Sequence, residues 1–155
     1  MELQPFQHDI SSILNCRRFA VAGASDNPEK YGNKVYRALK ARGYEVFAVN
    51  PTAESVDGDE VFPLLDNVPG KIDVVVAVTQ PEVTYEIVRR AGHLRIPFLW
   101  MQPGAESESA IIELRSQGLV GVFGGPCILV ALATHGRPQW MLDEEDETDI
   151  TASEL

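Results

Sequence analysis

A chain of 155 residues, 45% of them hydrophobic, has the length of one domain with a real core, and none of its apolar runs approaches a membrane span. The net charge of −10 is concentrated at one end: seven acids and no Lys or Arg fall between Asp143 and Leu155, leaving 16 acidic against 13 basic residues in the body, a charge of −3. That acidic end argues against nucleic acid as a partner, because it would repel phosphate backbones. Its composition predicts a disordered tail over 143–155, behind a domain over 1–142. The first residues, Met1 to Gln7, are neither basic nor followed by a signal-type apolar segment, so the expected location is cytoplasmic, with no membrane partner.

Phe6, Ile10, Ile13 and Leu14 recur at helical spacing and predict a short helix up to Cys16. Phe19 to Ala22 is a short apolar run that suits a buried strand. It ends at Gly23, and a polar loop follows to Gly32. From Asn33 the pattern is helical, with Val35 and Leu39 on one face, until Gly43 stops it. Tyr44 to Asn50 is a second strand, closed by Asn50-Pro51. Thr52 to Pro63 reads as a polar loop with a small excursion at Val61-Phe62-Pro63, and Leu64 to Val68 as one helical turn. Ile72 to Val78 carries an unbroken apolar run and predicts a centre strand covered on both faces. Glu82 to Ala91 is a helix with Val83, Ile87 and Val88 inward. Pro97 to Met101 is a fourth strand, Ser107 or Glu108 to Gln117 a helix, Leu119 to Phe123 a fifth strand, and Ile128 to Ala133 a last short helix.

Five alternations of strand and helix predict an α/β fold: a Rossmann-like, doubly wound parallel sheet of five strands with helices on both faces. The expected order is 3-2-1-4-5. A ligand crevice would then open between the first and fourth strands, at the carboxyl ends of the strands.

The opening unit of strand, glycine turn and helix suits phosphate, since the first helical turn has unpaired N–H groups and the positive end of the dipole. The loop is neither G-x-G-x-x-G nor a Walker loop: the glycine after Gly23 is Gly32, so the loop is longer and wraps more of a ligand. Ser25 offers a hydroxyl, and Lys34 sits in the first helical turn. At the end of the second strand, where NAD enzymes usually carry an acid for the ribose hydroxyls, stands Asn50. Asn tolerates a phosphorylated ribose, which favours a 3′- or 2′-phosphorylated adenosine over plain NAD. The alternative is that Asn50-Pro51 simply makes a turn. Cys16 and Cys127 lie in no Cys-x-x-Cys pair and His8, His93 and His135 are scattered, so no metal site is expected. No catalytic constellation stands out.

The run Val21-Ala-Gly-Ala-Ser-Asp-Asn-Pro-Glu-Lys-Tyr-Gly-Asn-Lys-Val, then Gly43 to Pro51, Asp73 to Val76 with Pro81-Glu82, and Leu99-Trp-Met-Gln-Pro-Gly resembles the stand-alone CoA-binding domain proteins. These are single Rossmann-like domains similar to the CoA-binding domain of the succinyl-CoA synthetase α subunit. The likeness covers roughly residues 10 to 130. It implies that Gly23, Ala24, Ser25, Tyr31, Gly32 and Lys34 hold a pyrophosphate. Asn50, Pro51 and Thr52 would line the adenosine 3′-phosphate region, Val78, Thr79 and Gln80 would flank adenine or pantetheine, and Met101 and Gln102 would face the pantetheine arm. One departure stands out: many members carry a basic residue before the late cysteine and a Glu-His pair after it, whereas here Pro126 precedes Cys127 and Ala131-Leu132 follows. Cys127 is either a buried structural thiol or a partner for the thiol of bound coenzyme A. The resemblance implies a non-catalytic protein that binds CoA or an acyl-CoA, with no ligase activity because the phosphohistidine domain of the ligases has no counterpart here. The alternatives are an NAD(P)-dependent oxidoreductase and a nucleotide-independent scaffold that uses the acidic tail.

Overall fold

Seven strands form one sheet in the computed structural model, which describes residues 6–145, in the order β3-β4-β2-β1-β5-β6-β7. They are β1 (Arg18–Ala22), β2 (Glu45–Val49), β3 (Ser55–Val56), β4 (Asp59–Phe62), β5 (Val74–Ala77), β6 (Phe98–Met101) and β7 (Val120–Val122). All neighbours are parallel except β3, which runs antiparallel to β4. The helices α1 (Gln7–Leu14), α2 (Tyr31–Arg42), α3 (Pro81–His93), α4 (Glu108–Ser116) and α5 (Ile128–Thr134) flank the sheet.

The period of two along the strands sorts the core into two layers. Phe19, Val21, Val74, Val76 and Trp100 face α1, α2 and α5. Ala20, Ala22, Val75, Leu99 and Met101 face α3 and α4. All four residues of β5 are buried, as a run without polar positions requires.

The predicted α/β architecture is present, but two features of the sheet differ from expectation. The strand over Ile72 to Val78 pairs directly with β1, Val74 opposite Phe19 and Ala77 opposite Ala22. The five predicted strands therefore run 2-1-3-4-5, and the order reverses between β1 and β5, not between the first and fourth of them. The other flank of β2 is taken by β4, in the stretch read as a loop. Only Val61 and Phe62 of β4 pair with β2, and Asp59 and Glu60 precede them, so the segment is too short and polar to show a strand period. Counted with β4, the six parallel strands run 3-2-1-4-5-6.

The β3–β4 hairpin is fastened to α2 by charge. Asp59 accepts hydrogen bonds from Lys40 Nζ and from Tyr36 Oη at 2.7 Å. Lys40 first, then the Tyr36 hydroxyl, holds the Asp59 carboxyl below the usual carboxylate range, while burial and the same acid push the Tyr36 phenol up. A carboxyl depressed in the folded state contributes stability above its unfolded pKa and loses it as pH falls through the folded one. Asp59→Asn is therefore expected to cost about 0.2–1 kcal/mol at neutral pH, the range of an exposed pair, and almost nothing in strong acid. Thermal melts at the two pH values check this; a cost as large in acid as at neutral pH would overturn it.

At the C-terminal side, residues 139–145 are helical. Trp140 Nε1 donates to Asn15 O at 2.9 Å, Arg17 lies 4.3 Å over the Trp140 ring, and Met141 is buried. Arg17 also pairs with Glu144 at 3.1 Å, and Arg137 with Glu145 at 2.5 Å. The acidic stretch thus begins inside a helical segment, and its remainder, residues 146–155, lies outside the described residues. Among the described residues no helix is long and apolar enough to cross a membrane.

Candidate functional site

β1 ends at Ala22, and the chain leaves the sheet at Gly23 with φ at +87°, a conformation L side chains avoid. A Cβ there would also collide with the carbonyl oxygen of Val78, the residue just past β5. The loop then makes two side-chain-stabilised turns: Ser25 Oγ accepts from the Asn27 amide at 3.1 Å, and Asn27 Oδ1 from the Glu29 amide at 3.0 Å. α2 begins at Tyr31 with no side chain capping it. Its second residue, Gly32, is buried against the Gly23 carbonyl. The uncapped positive end of a 12-residue helix is thereby pressed onto the loop that leaves β1.

Beside this corner lies a cleft of about 690 Å³, within the roughly 300–1,000 Å³ span of small-molecule sites. It follows the carboxyl ends of β2, β1, β5 and β6. Gly23, Tyr31, Asn50, Pro51 and Thr52 line one end, Val78, Thr79 and Gln80 the middle, and Gln102 the far side. The other sequence-predicted residues shape the cleft without lining it. Ala24 is buried under the loop, and Gly32 packs behind it. Ser25 holds the turn. Met101 is wholly buried in the α3–α4 layer. Lys34 is exposed, with Nζ 5.1 Å from the centre of the Tyr31 ring.

Several lining residues escaped the sequence reading. Val83, expected to point into the core, is 47% exposed and belongs to the cleft wall. Pro103, Gly104 and Ala105 complete the far end, beside Cys127, which the sequence reading had weighed as a structural thiol or a partner for a bound thiol. The turn residues at 103–104 were legible as a strand end, but their sharing one cleft with the segment after β7 is a tertiary fact with no local signal. That segment is anchored to β6 by two side chains. Trp100 Nε1 donates to Pro126 O at 3.1 Å. Gln102, only 3% exposed, accepts from the Ile128 amide at 2.8 Å and donates to Cys127 Sγ at 3.4 Å.

Asn50 is a structural residue of the rim. Its Nδ2 donates to Ala24 O at 2.8 Å, tying the end of β2 to the β1 loop. Its Oδ1 accepts from the Thr52 amide at 2.8 Å, the Ala53 amide at 3.0 Å and the Thr52 hydroxyl at 3.2 Å. This is the turn reading of Asn50-Pro51.

The cleft mixes apolar and uncharged polar side chains, and none of its lining residues is charged. Of the three histidines, none lines it. Among the described residues no group of three or more His, Cys, Asp or Glu is placed to hold a metal ion. The arrangement offers a helix N-terminus for an anion at one end, a long neutral trough, and a thiol at the other.

The CoA binding domain model matches residues 17–133, the stretch from β1 through α5 that builds both walls of this cleft. The chain is 32% identical over 130 residues to the uncharacterized protein YneT of Bacillus subtilis (strain 168), covering 83% of this chain and 96% of that protein. The solved structure of a hypothetical protein from Pyrococcus horikoshii OT3 aligns with a TM-score of 0.78 at 31% identity, covering 84% of this chain and 95% of that one. The α subunit of an ADP-forming acetate–CoA ligase II from Pyrococcus furiosus is 24% identical over 138 residues, which are 83% of this chain but 30% of that subunit. With the match reaching across the whole strand–loop–helix frame of the cleft, the chain belongs to the CoA binding domain family.

Proposed function

We propose that the cleft binds coenzyme A, free or acylated, and that the domain acts by binding alone, as a carrier, sensor or regulatory subunit. The observation that carries this is the Gly23–Gly32 corner: an uncapped helix N-terminus set at one end of a long neutral trough, in a chain of this family. From β2 to β6 the trough crosses three strand spacings, about 14 Å at the usual ~4.8 Å each, so it suits an extended ligand. The pyrophosphate would sit at Gly23–Ser25 and the first turn of α2, where Lys34 can leave the Tyr31 ring to meet it. The adenosine would lie toward Asn50–Thr52. The arm would pass Val78–Gln80 and the backbone after Met101, ending near Gln102 and Cys127. Coenzyme A supplies a thiol to that far end; the chain's own residues orient the arm and exclude water from its apolar part.

Isothermal titration of the purified protein with CoA, NADP and NAD in parallel tests this. CoA is expected to bind at micromolar concentration, with NAD much weaker. Lys34→Ala is expected to weaken CoA roughly two- to five-fold, the range of one exposed ion pair. Absence of CoA binding, or tighter binding of NAD, would overturn the reading.

A further inference from the structure

The end of β2 is where an adenosine ribose lies in a fold of this kind, and a ribose phosphate there requires cations or free N–H groups. This corner offers almost none. The Asn50 amide donates to Phe62 O at 3.0 Å, Pro51 has no N–H, and the Thr52 amide, the Ala53 amide and the Thr52 hydroxyl all turn inward onto Asn50 Oδ1. One hydrogen of Asn50 Nδ2 is taken by Ala24 O. The donors that a phosphate would use are already bonded within the turn.

The charges point the same way. From Asn50 to Pro63 the chain carries Glu54, Asp57, Asp59 and Glu60 and no Lys or Arg. The cations that face this segment from α2 are committed: Arg37 Nε lies 3.4 Å from Asp57 Oδ2, and Lys40 is bonded to Asp59. Asp57 is further tied to the buried Asn33 side chain at 3.1 Å, which holds the acid in place. Glu54 and Glu60 are exposed. A dianion placed beside Thr52 would meet the acids of this segment and no cation of the segment's own.

We infer that this cleft does not read a ribose phosphate: its ligand class is an adenosine diphosphate joined to an extended thiol arm, and dephospho-CoA binds at least as tightly as CoA. The inference rests on the reading of the cleft as a CoA site. It departs from the sequence expectation that Asn50 selects a phosphorylated ribose.

The experiment is titration of the full chain with CoA and with dephospho-CoA, at low and at high salt. Dephospho-CoA is expected to match or exceed CoA at low salt, and the two are expected to converge at high salt as the acids are screened. Thr52→Lys adds a cation at an exposed position and is expected to shift the CoA to dephospho-CoA affinity ratio toward CoA by about ten-fold, the effect of one new charged hydrogen bond. Circular dichroism checks that this variant is folded. CoA binding ten-fold or more tighter than dephospho-CoA in the unmodified protein would overturn the inference and leave the CoA site standing. A ratio unmoved by Thr52→Lys in a folded protein would also overturn it, since the ribose would then lie elsewhere. Binding of neither ligand would remove the CoA reading and the inference together.

Discussion

Gly32→Ala is expected to lower the melting temperature by roughly 5–10 °C and to weaken CoA binding more than ten-fold. Helix propensity alone predicts the opposite sign, because alanine is better than glycine in a helix by about 1 kcal/mol. Packing decides the matter. Gly32 is buried in the first turn of α2, and a Cβ there falls far inside the 3.0 Å that real Cβ atoms keep from the Gly23 carbonyl oxygen, with Gly23 C at 3.1 Å and Ala24 Cα at 3.3 Å behind it. All three are backbone atoms. The loop cannot give way, since Gly23 itself sits against the Val78 carbonyl. Either α2 backs away or the loop deforms, at about 2–3 kcal/mol net, with each kcal/mol worth about 2–4 °C in a domain of this size. Retreat of α2 also withdraws its N-terminus from the proposed pyrophosphate position. Calorimetric melting and CoA titration on the same preparation check both halves. An unchanged or raised melting temperature would mean that the first turn of α2 slides freely, and the tight corner would lose its role.

The same corner marks how far the sequence could be read. The strand Phe19–Ala22, the glycine that ends it and the helix that follows were legible because each has a local signal: an apolar run, a breaker, a period of 3.6. That Gly32 is a contact glycine was not, because its partner is the Gly23 carbonyl across a loop. The sheet order failed for the same kind of reason. A fully apolar strand such as Val74–Ala77 announces that it is central but not which neighbours it takes, and β4 is four residues long, half of them acidic, which leaves no apolar period to read. Val83 was misassigned because helical spacing places a residue on a face without saying that the face ends at a cleft. Asn50 shows the reverse case: the local turn chemistry of Asn-Pro could be read from the sequence, and the side chain does close that turn while lining the cleft.

Gln102→Leu is expected to cost about 1–3 kcal/mol and to expose Cys127. The resemblance assigned Gln102 to the pantetheine arm, yet its side chain also holds the protein together. α5 has no side-chain cap from its own start; the Ile128 amide donates instead to Gln102 Oε1, from β6 at 2.8 Å. Leucine has nearly the same volume and no acceptor, so the variant leaves a buried N–H unpaired, which is the costly way to lose a hydrogen bond. The loss falls on the segment from Gly124 to Thr134, which then hangs on the Trp100–Pro126 bond alone of the two side-chain anchors. Alkylation of Cys127 should therefore accelerate. Cys16 is the internal control: burial, helped by Asp73, pushes its thiol up to about 11, so it stays slow in both proteins. Gln102→Glu separates the two roles. It keeps the acceptor for the Ile128 amide but buries a carboxyl, so it should retain most of the stability at acid pH, where that carboxyl is protonated, and weaken an anionic ligand at higher pH, where it ionises. Mass spectrometry of the labelled thiols, thermal melts and CoA titration read the three effects. Equal destabilisation by leucine and glutamate at acid pH, or labelling of Cys127 no faster in the leucine variant, would show that the Gln102–Ile128 bond does not hold α5 in place.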